Sequence, residues 1–290
     1  MVKKNVLLIV NPISGGVEKS EIIETATDFV NGLQKNLVLY ETSGNNDILK
    51  IQDLYAKFDP ERVLIAGGDG TIKLVAEALE EEDVIFGILP AGSANGLATD
   101  LGLPNAIQEC LIISFREKHL AIDMIMINGK KSLHLSDLGL NADLIKNYEN
   151  SSVRGKLGYA LQAVTTLVEK EAPFIATIEV NDTTIECEAQ MIVIANSKKY
   201  GTGVVINPTG LMDDGKFELI ILKNLDLMVF GKIITGNMPI EAEDVEIITT
   251  DKAMITTNRP VSFQIDGEYC GTQSNLSIAL AAAKMKVAIP

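Results

Sequence analysis

The sequence predicts two domains: an α/β domain with a parallel sheet over residues 1–124, then an antiparallel, β-rich sandwich over 125–280. Residues 281–290 are candidates to complete the first domain. Three observations predict this. The chain has 290 residues, 47% of them hydrophobic, which at about 150 residues per domain is enough for two cores. Between residues 5 and 89, short apolar runs alternate with amphipathic segments, the pattern of a sheet covered on both faces. Beyond residue 120 the hydrophobic period shortens to two, and Asn-Asp and Asp-Gly turn pairs enter.

In chain order, residues 5–10 (NVLLIV) read as a buried strand. A polar glycine loop follows at 11–16. Ile22, Ile23, Ala26, Phe29 and Val30 mark one face of a helix over 18–33. A strand at 37–40, a helix over 47–58 and a strand at 62–66 come next. Leu74, Val75, Ala78 and Leu79 then line a third helix. The strand at 84–89 runs into the loop 90–96. Later strands are expected at 174–180, 183–188, 190–195, 217–222, 245–250 and 261–265. Helices are expected at 154–170 and 227–236.

The three loops 11–16, 67–71 and 90–96 each follow a strand. In a parallel sheet they therefore share the edge beyond the strands' carboxyl ends, where ligands bind. Gly67-Gly68-Asp69-Gly70-Thr71 is a strand-to-helix turn. Its glycines permit positive φ and close approach of a ligand. The helix start offers unpaired N–H groups to a phosphate. The alternative is a plain glycine turn capped by Asp69 or Thr71.

Other features exclude function classes. The formal charge of −14 argues against a nucleic-acid partner, which calls for a basic stripe. It provides no bulk attraction to anionic lipid either. Lys3-Lys4, Lys130-Lys131 and Lys198-Lys199 read as solvated surface. Three cysteines without a CxxC pair fit a reducing, intracellular setting. Two histidines do not make a zinc site. The apolar stretch at 6–10 is too short for a signal segment, and no run reaches the roughly 18 residues of a spanning helix. Neither the phosphate loop G-x-x-x-x-G-K-[ST] nor the dinucleotide fingerprint G-x-G-x-x-G occurs.

Six stretches, in order, carry a family resemblance: NPISGG at 11–16, GGDGT at 67–71, PAGSANGLATDLGLP at 90–104, RGKLGYALQAV at 154–164, GLMDDGKFELII at 210–221 and QIDGEYCG at 264–271. In these the chain resembles the diacylglycerol kinase catalytic domain family, which includes bacterial lipid kinases and sphingosine kinases. GGDGT by itself is shared with NAD kinases and phosphofructokinases. The resemblance therefore implies an NAD-kinase/phosphofructokinase-like α/β domain ahead of the β sandwich.

It also implies ATP-dependent phosphoryl transfer to a lipid hydroxyl, with Mg²⁺. The nucleotide contacts it implies are Asn11, Pro12, Ser14, Gly15, Thr42, Gly67, Gly68, Asp69, Gly70, Thr71, Ser93 and Asn95. Asp69 would hold Mg²⁺ or fix its loop, which makes it a catalytic candidate. The family often has Thr and Asp where this chain has Ser93 and Gly96. Glu268 matches the position of the proton acceptor, with Asp266 beside it, because a hydroxyl nucleophile needs a carboxylate to take its proton. Spacing alone favours a two-residue Asp266-Gly267 hairpin flanked by Ile265 and Tyr269. The Asp214 carboxylate and the carbonyls of Leu211 and Lys216 would form a magnesium site, hard oxygen donors for a hard cation; the alternative is a second Asp-Gly hairpin. Asp123, inside the apolar LAIDMIMI run, is a substrate-site candidate.

The expectation is a lipid kinase acting from the cytoplasm at the inner face of the membrane. ATP would lie on the three glycine loops, and the lipid head group would enter from the β-rich domain. Its partners would be ATP and a membrane lipid met by peripheral contact, with a homodimer left open. An NAD kinase is the alternative within the same chemistry. A non-catalytic nucleotide- or lipid-binding protein is the alternative of another class.

Overall fold

Val6, Leu7, Leu8, Ile9 and Val10 are wholly excluded from solvent. Successive side chains of a strand point to opposite faces, so this strand needs cover on both sides. At roughly 1.5–3 kcal/mol per buried large aliphatic side chain, it is a main contributor to its core. The computed structural model describes residues 4–16, 18–93, 95–139, 142–143, 172–199, 205–224 and 244–290. The chain divides into two compact units, Met1–Ile122 with Ala282–Pro290, and Asp123–Ala281.

In the first unit, strands β1 (Asn5–Val10), β2 (Asn36–Glu41), β3 (Arg62–Gly67) and β4 (Ile85–Pro90) alternate with helices α1 (Ser20–Gly32), α2 (Asp47–Phe58) and α3 (Asp69–Ala78). Two shorter helices follow, α4 (Gly96–Asp100) and α5 (Ile107–Ser114). The strands are parallel in the order β2-β1-β3-β4. Val6, Leu8 and Val10 pack with Ala26 and Val30 of α1 and Cys110 and Leu111 of α5. The opposite face of β1 carries Leu7 and Ile9, on the side of α2 and α3, which bury Ile51, Tyr55, Ile72 and Val75. Helices α4 and α5 were not expected from sequence. Their apolar residues fall in short runs without a full helical stripe.

The second unit holds β6 (Lys130–Ser132), β7 (Leu135–Gly139), β8 (Phe174–Val180), β9 (Thr183–Ala189), β10 (Met191–Ala195), β11 (Phe217–Leu222), β12 (Val245–Thr250) and β13 (Lys252–Ile265). Most of β5 (His119–Ile127) and of β14 (Glu268–Ala288) also belongs to it. The order β12-β11-β10-β7-β13 is antiparallel throughout, and β8 pairs antiparallel with both β13 and β9. Phe174, Ile178, Ile192, Phe217, Leu219, Ile255 and Phe263 are among the residues of its core.

The expected strand at 261–265 is only the end of β13. Between Thr256 and Val261 the pairing with β14 shifts register, where Pro260 has no N–H to give. The hairpin reading of Asp266-Gly267 implies a strand after the turn, but not one that runs to Ala288: the alanine-rich stretch of β14 has helical propensity, and pairing with β13 overrides it. Its last residues pair in parallel with β4, Lys286 opposite Ile85 and Val287 opposite Phe86. The helices expected at 154–170 and 227–236 lie outside the described residues.

Candidate active site

The three glycine loops meet in the first unit. Asn11 leaves the end of β1, and its N–H donates to the Ala66 carbonyl of β3 at 3.0 Å. Its side-chain Nδ2 donates to Thr71 Oγ1 at 3.2 Å. Ser14 Oγ donates to the Ala91 carbonyl at 2.9 Å. Gly15 has φ +64°, and a Cβ there would lie 2.8 Å from the Ala91 oxygen. Gly68 and Gly92 are closer still: a Cβ on Gly92 would lie 2.4 Å from the Gly68 Cα. The Ala91 N–H donates to the Gly67 carbonyl at 2.9 Å. Only glycine lets three chain segments converge at this spacing. Pro12, Gly70 and Ser93 are exposed at the surface of the cluster, and Asn11, Ser14, Gly15 and Gly68 are half-buried.

Asp69 is the tie between the second and third loops. Its carboxylate accepts the Gly96 N–H at 2.7 Å and the Leu97 N–H at 3.0 Å. It thus pairs two of the otherwise open N–H groups at the start of α4. The cap of its own helix is Gly68, not Asp69 or Thr71. Asn95, in the left-handed region at φ +54°, accepts the Gly92 N–H at 2.7 Å through Oδ1 and returns a bond from Nδ2 to the Gly92 carbonyl. The loops gather backbone N–H groups and hydroxyls beside the start of the ten-residue helix α3, an arrangement suited to phosphate oxygens. Thr42 follows β2 on the same edge and donates its N–H to the Val10 carbonyl at 2.8 Å, next to Asn11.

Two groups here gave no sequence signal. Lys19 is 3% exposed and its Nζ donates to the Ser14 carbonyl at 2.6 Å; burial pushes its pKa down. Asp47, at the start of α2, accepts hydrogen bonds from Tyr40 and from the loop after β2. In the sequence neither stands out: Lys19 falls within the helix expected over 18–33, and Asp47 is the first residue of the one expected over 47–58.

In the second unit, Asp123 is buried and clamps the 211–216 segment. Its N–H donates to the Met212 carbonyl at 2.7 Å and its Oδ2 accepts the Gly215 N–H at 2.8 Å. Asp214 Oδ1 accepts the Lys216 N–H at 3.0 Å. This segment leads into β11, whose partners are β10 and β12, so the second Asp-Gly pair is not a hairpin. Leu211 and Asp214 are exposed. Among the described residues no three His, Cys, Asp or Glu side chains gather to hold a metal. One carboxylate with backbone carbonyls is nevertheless a hard-oxygen set of the kind Mg²⁺ takes, and Asp123 holds the segment that carries it.

Asp266 and Gly267 form the β13–β14 turn, with φ of +50° and +87°. The residues flanking it are Ile265 and Glu268, not Tyr269. The Asp266 carboxylate is engaged: it accepts from Ser132 Oγ at 2.9 Å, the Leu133 N–H at 3.1 Å and the His134 N–H at 3.0 Å. Glu268 is exposed. The two candidate bases are thus separated by environment. Asn196, missed in the sequence, is buried and donates from Nδ2 to the Asp123 carbonyl at 2.7 Å and the Leu133 carbonyl at 2.9 Å. Glu218 is buried as well; burial pushes its carboxyl up, against a hydrogen bond from Asn207.

The family model for the diacylglycerol kinase catalytic domain matches residues 5–127, which hold all three glycine loops and Asp123. The model for the YegS C-terminal NAD kinase beta sandwich-like domain matches residues 137–287. The chain belongs to the diacylglycerol kinase catalytic domain family. Membership makes it a kinase, with the α/β domain and C-terminal β sandwich of that family. The lipid kinase YegS of Escherichia coli is 26% identical over 242 residues, covering 81% of this chain and 80% of its own. An uncharacterised Synechocystis protein is 28% identical over 221 residues, 72% of this chain; the match spans about half, 51%, of that relative. Of solved structures, a diacylglycerol kinase from Bacillus anthracis superposes with a TM-score of 0.76 at 19% identity, over 99% of this chain and 97% of that one. An NAD kinase from Archaeoglobus fulgidus in complex with ATP has the same fold at a TM-score of 0.58 and 11% identity, over 98% and 93%. Among the described residues no helix is long and apolar enough to cross a membrane.

Proposed function

We propose that this family member transfers the γ-phosphoryl group of ATP to a hydroxyl of a lipid. The observation that carries the nucleotide half is the convergence of the three glycine loops, tied by Asn11–Thr71, Ser14–Ala91 and the Asp69 carboxylate. The family match and the name of the Escherichia coli relative support a lipid as acceptor.

Asn11, Pro12, Ser14, Gly15, Thr42, Gly67, Gly68, Asp69, Gly70, Thr71, Ser93 and Asn95 form the nucleotide side. Their amides and hydroxyls bind and orient the phosphates, which is most of what phosphoryl transfer asks of a protein. Asp69 acts by fixing the third loop. Glu268 takes the proton of the acceptor hydroxyl; its exposed carboxylate can reach an external group, whereas Asp266 holds the 132–134 turn. Asp123 supports the acceptor side through the 211–216 segment. Asp214, with the carbonyls of Leu211 and Lys216, would hold Mg²⁺, which when bound supplies positive charge that braces this segment. The lipid is met by peripheral contact at the cytoplasmic face of the membrane.

The test is ATP-dependent labelling of a lipid panel in mixed micelles, with NAD as control acceptor. A phosphorylated lipid is expected. Phosphorylated NAD without lipid product would assign the chain to NAD kinases, whose fold it shares. ATP binding with no product on any acceptor would make it a binding protein.

A further inference from the structure

The loop between β2 and α2 has little apolar anchorage: Ser43, Gly44, Asn45 and Asn46 are all exposed. It nevertheless converges on one buried charge. Asp47, 7% exposed, accepts four hydrogen bonds. Oδ1 takes the Tyr40 hydroxyl at 2.5 Å, the Ser43 N–H at 2.9 Å and the Ser43 hydroxyl at 3.1 Å. Oδ2 takes the Gly44 N–H at 2.7 Å. Charge-assisted bonds of this length are the strong ones, and burial makes an unpaired partner costly. The segment they fix includes Gly44 at φ +79° and Asn46 at φ +54°. A loop of this kind keeps one conformation only when something over-determines it. Its first residue, Thr42, is held to the Val10 carbonyl beside Asn11, where the first glycine loop begins.

We propose that Asp47 is a positioning residue for the nucleotide: through its bonds to Tyr40, Ser43 and Gly44 it holds the Thr42 end of the loop against the first glycine loop, and so sets affinity for ATP. The inference rests on the kinase function proposed above and assigns a role to a residue outside the matched motifs. Asp47 touches no reacting atom. Its loss lets the loop sample other conformations, and the population competent to bind ATP falls.

The test measures ATP affinity by direct titration, and kcat and KM for both substrates, for wild type, Asp47→Asn, Ser43→Ala and the double variant. Asp47→Asn keeps the volume and one acceptor oxygen but loses the charge. It is expected to raise the Kd and KM for ATP by about ten- to fiftyfold, with kcat and the lipid KM within about threefold of wild type. Ser43→Ala, which removes one donor, is expected to raise them by about two- to fivefold. In the double variant the Ser43 effect should vanish, because both act through one contact. Tyrosine absorbance titration provides a readout independent of turnover: Tyr40, pushed up to about 12 by burial and by Asp47, should titrate lower in Asp47→Asn. Unchanged ATP affinity in folded Asp47→Asn overturns the inference while leaving the kinase function standing. If Asp47→Asn does not fold, Ser43→Ala with wild-type ATP affinity overturns it. Absence of ATP binding by the wild type overturns both.

Discussion

Asp69→Asn tests whether the tie between the second and third glycine loops is what makes the site work. The substitution conserves shape and leaves one acceptor oxygen for two donors, the Gly96 and Leu97 N–H groups. One of these bonds is lost and the other loses its charge assistance. Hydrogen bonds to a charged group contribute about 1.5–3 kcal/mol each, so the loss should be about 2–4 kcal/mol of local stability. At about 2–4 °C per kcal/mol for a chain of this size, the melting temperature should fall by about 4–16 °C. The loop 90–96 would then no longer be registered against Gly68, and errors of about 1 Å in such positioning cost about a hundredfold in rate. The assay is kcat for lipid phosphorylation at saturating ATP and lipid, beside thermal unfolding of the same samples. A fall in kcat of at least about a hundredfold is expected in a protein that is still folded. A folded variant with near-normal kcat would refute the reasoning. A hundredfold loss without any change in melting temperature would move Asp69 from loop anchor to a ligand of the Mg²⁺ that accompanies the phosphates.

Glu268→Gln should lower phosphoryl transfer by about a hundred- to ten-thousandfold and leave ATP affinity unchanged; equal turnover would remove Glu268 as the base. Asp266→Asn should instead act mainly on stability, because its carboxylate receives three hydrogen bonds, and chemical denaturation would detect the loss. Gly267→Val should also destabilise, since φ is +87° at that turn position. Wild-type melting temperature should rise from EDTA to about 10 mM Mg²⁺, and this rise should shrink in Asp214→Ala; the same rise in both would discard the magnesium assignment. Tyr40 provides a pH window: its pKa is raised from 10.0 to about 12, first by burial and then by Asp47. The stability tied to the neutral phenol is fully present below the unfolded value and is lost as pH climbs through this window, because the unfolded chain ionises first. Measured against its own stability at neutral pH, the wild type should therefore lose more than Tyr40→Phe over that range, and parallel alkaline curves would contradict it.

The sequence by itself determined the α/β order, the parallel sheet and the three glycine loops at its carboxyl edge. These features are local: an apolar run, an amphipathic stripe and a glycine turn are each readable within about fifteen residues. The Asp266-Gly267 turn was legible for the same reason, since both residues must adopt positive φ wherever the partner strands lie. The β-rich second domain was legible in the same way, from the period-two alternation beyond residue 120, and the family motifs carried the same loops.

Tertiary structure alone decided what the carboxylates do. Asp69 and Asp266 are equivalent in the sequence as acids beside glycines, yet one caps a helix twenty-seven residues later and the other holds a turn more than a hundred and thirty residues earlier. Asp123 is engaged by Gly215, ninety-two residues away. Asp47, a plain helix-start acid in the sequence, became the anchor of a loop through a tyrosine in the preceding strand. The length of β14 was hidden because its alanine-rich residues favour a helix in isolation, and only the open N–H and C=O groups of β13 and β4 make them a strand. The physical reason is common to all of these. Propensity and periodicity act over neighbouring residues, whereas hydrogen bonding inside a fold is satisfied by whichever groups the packing of distant segments brings within about 3 Å.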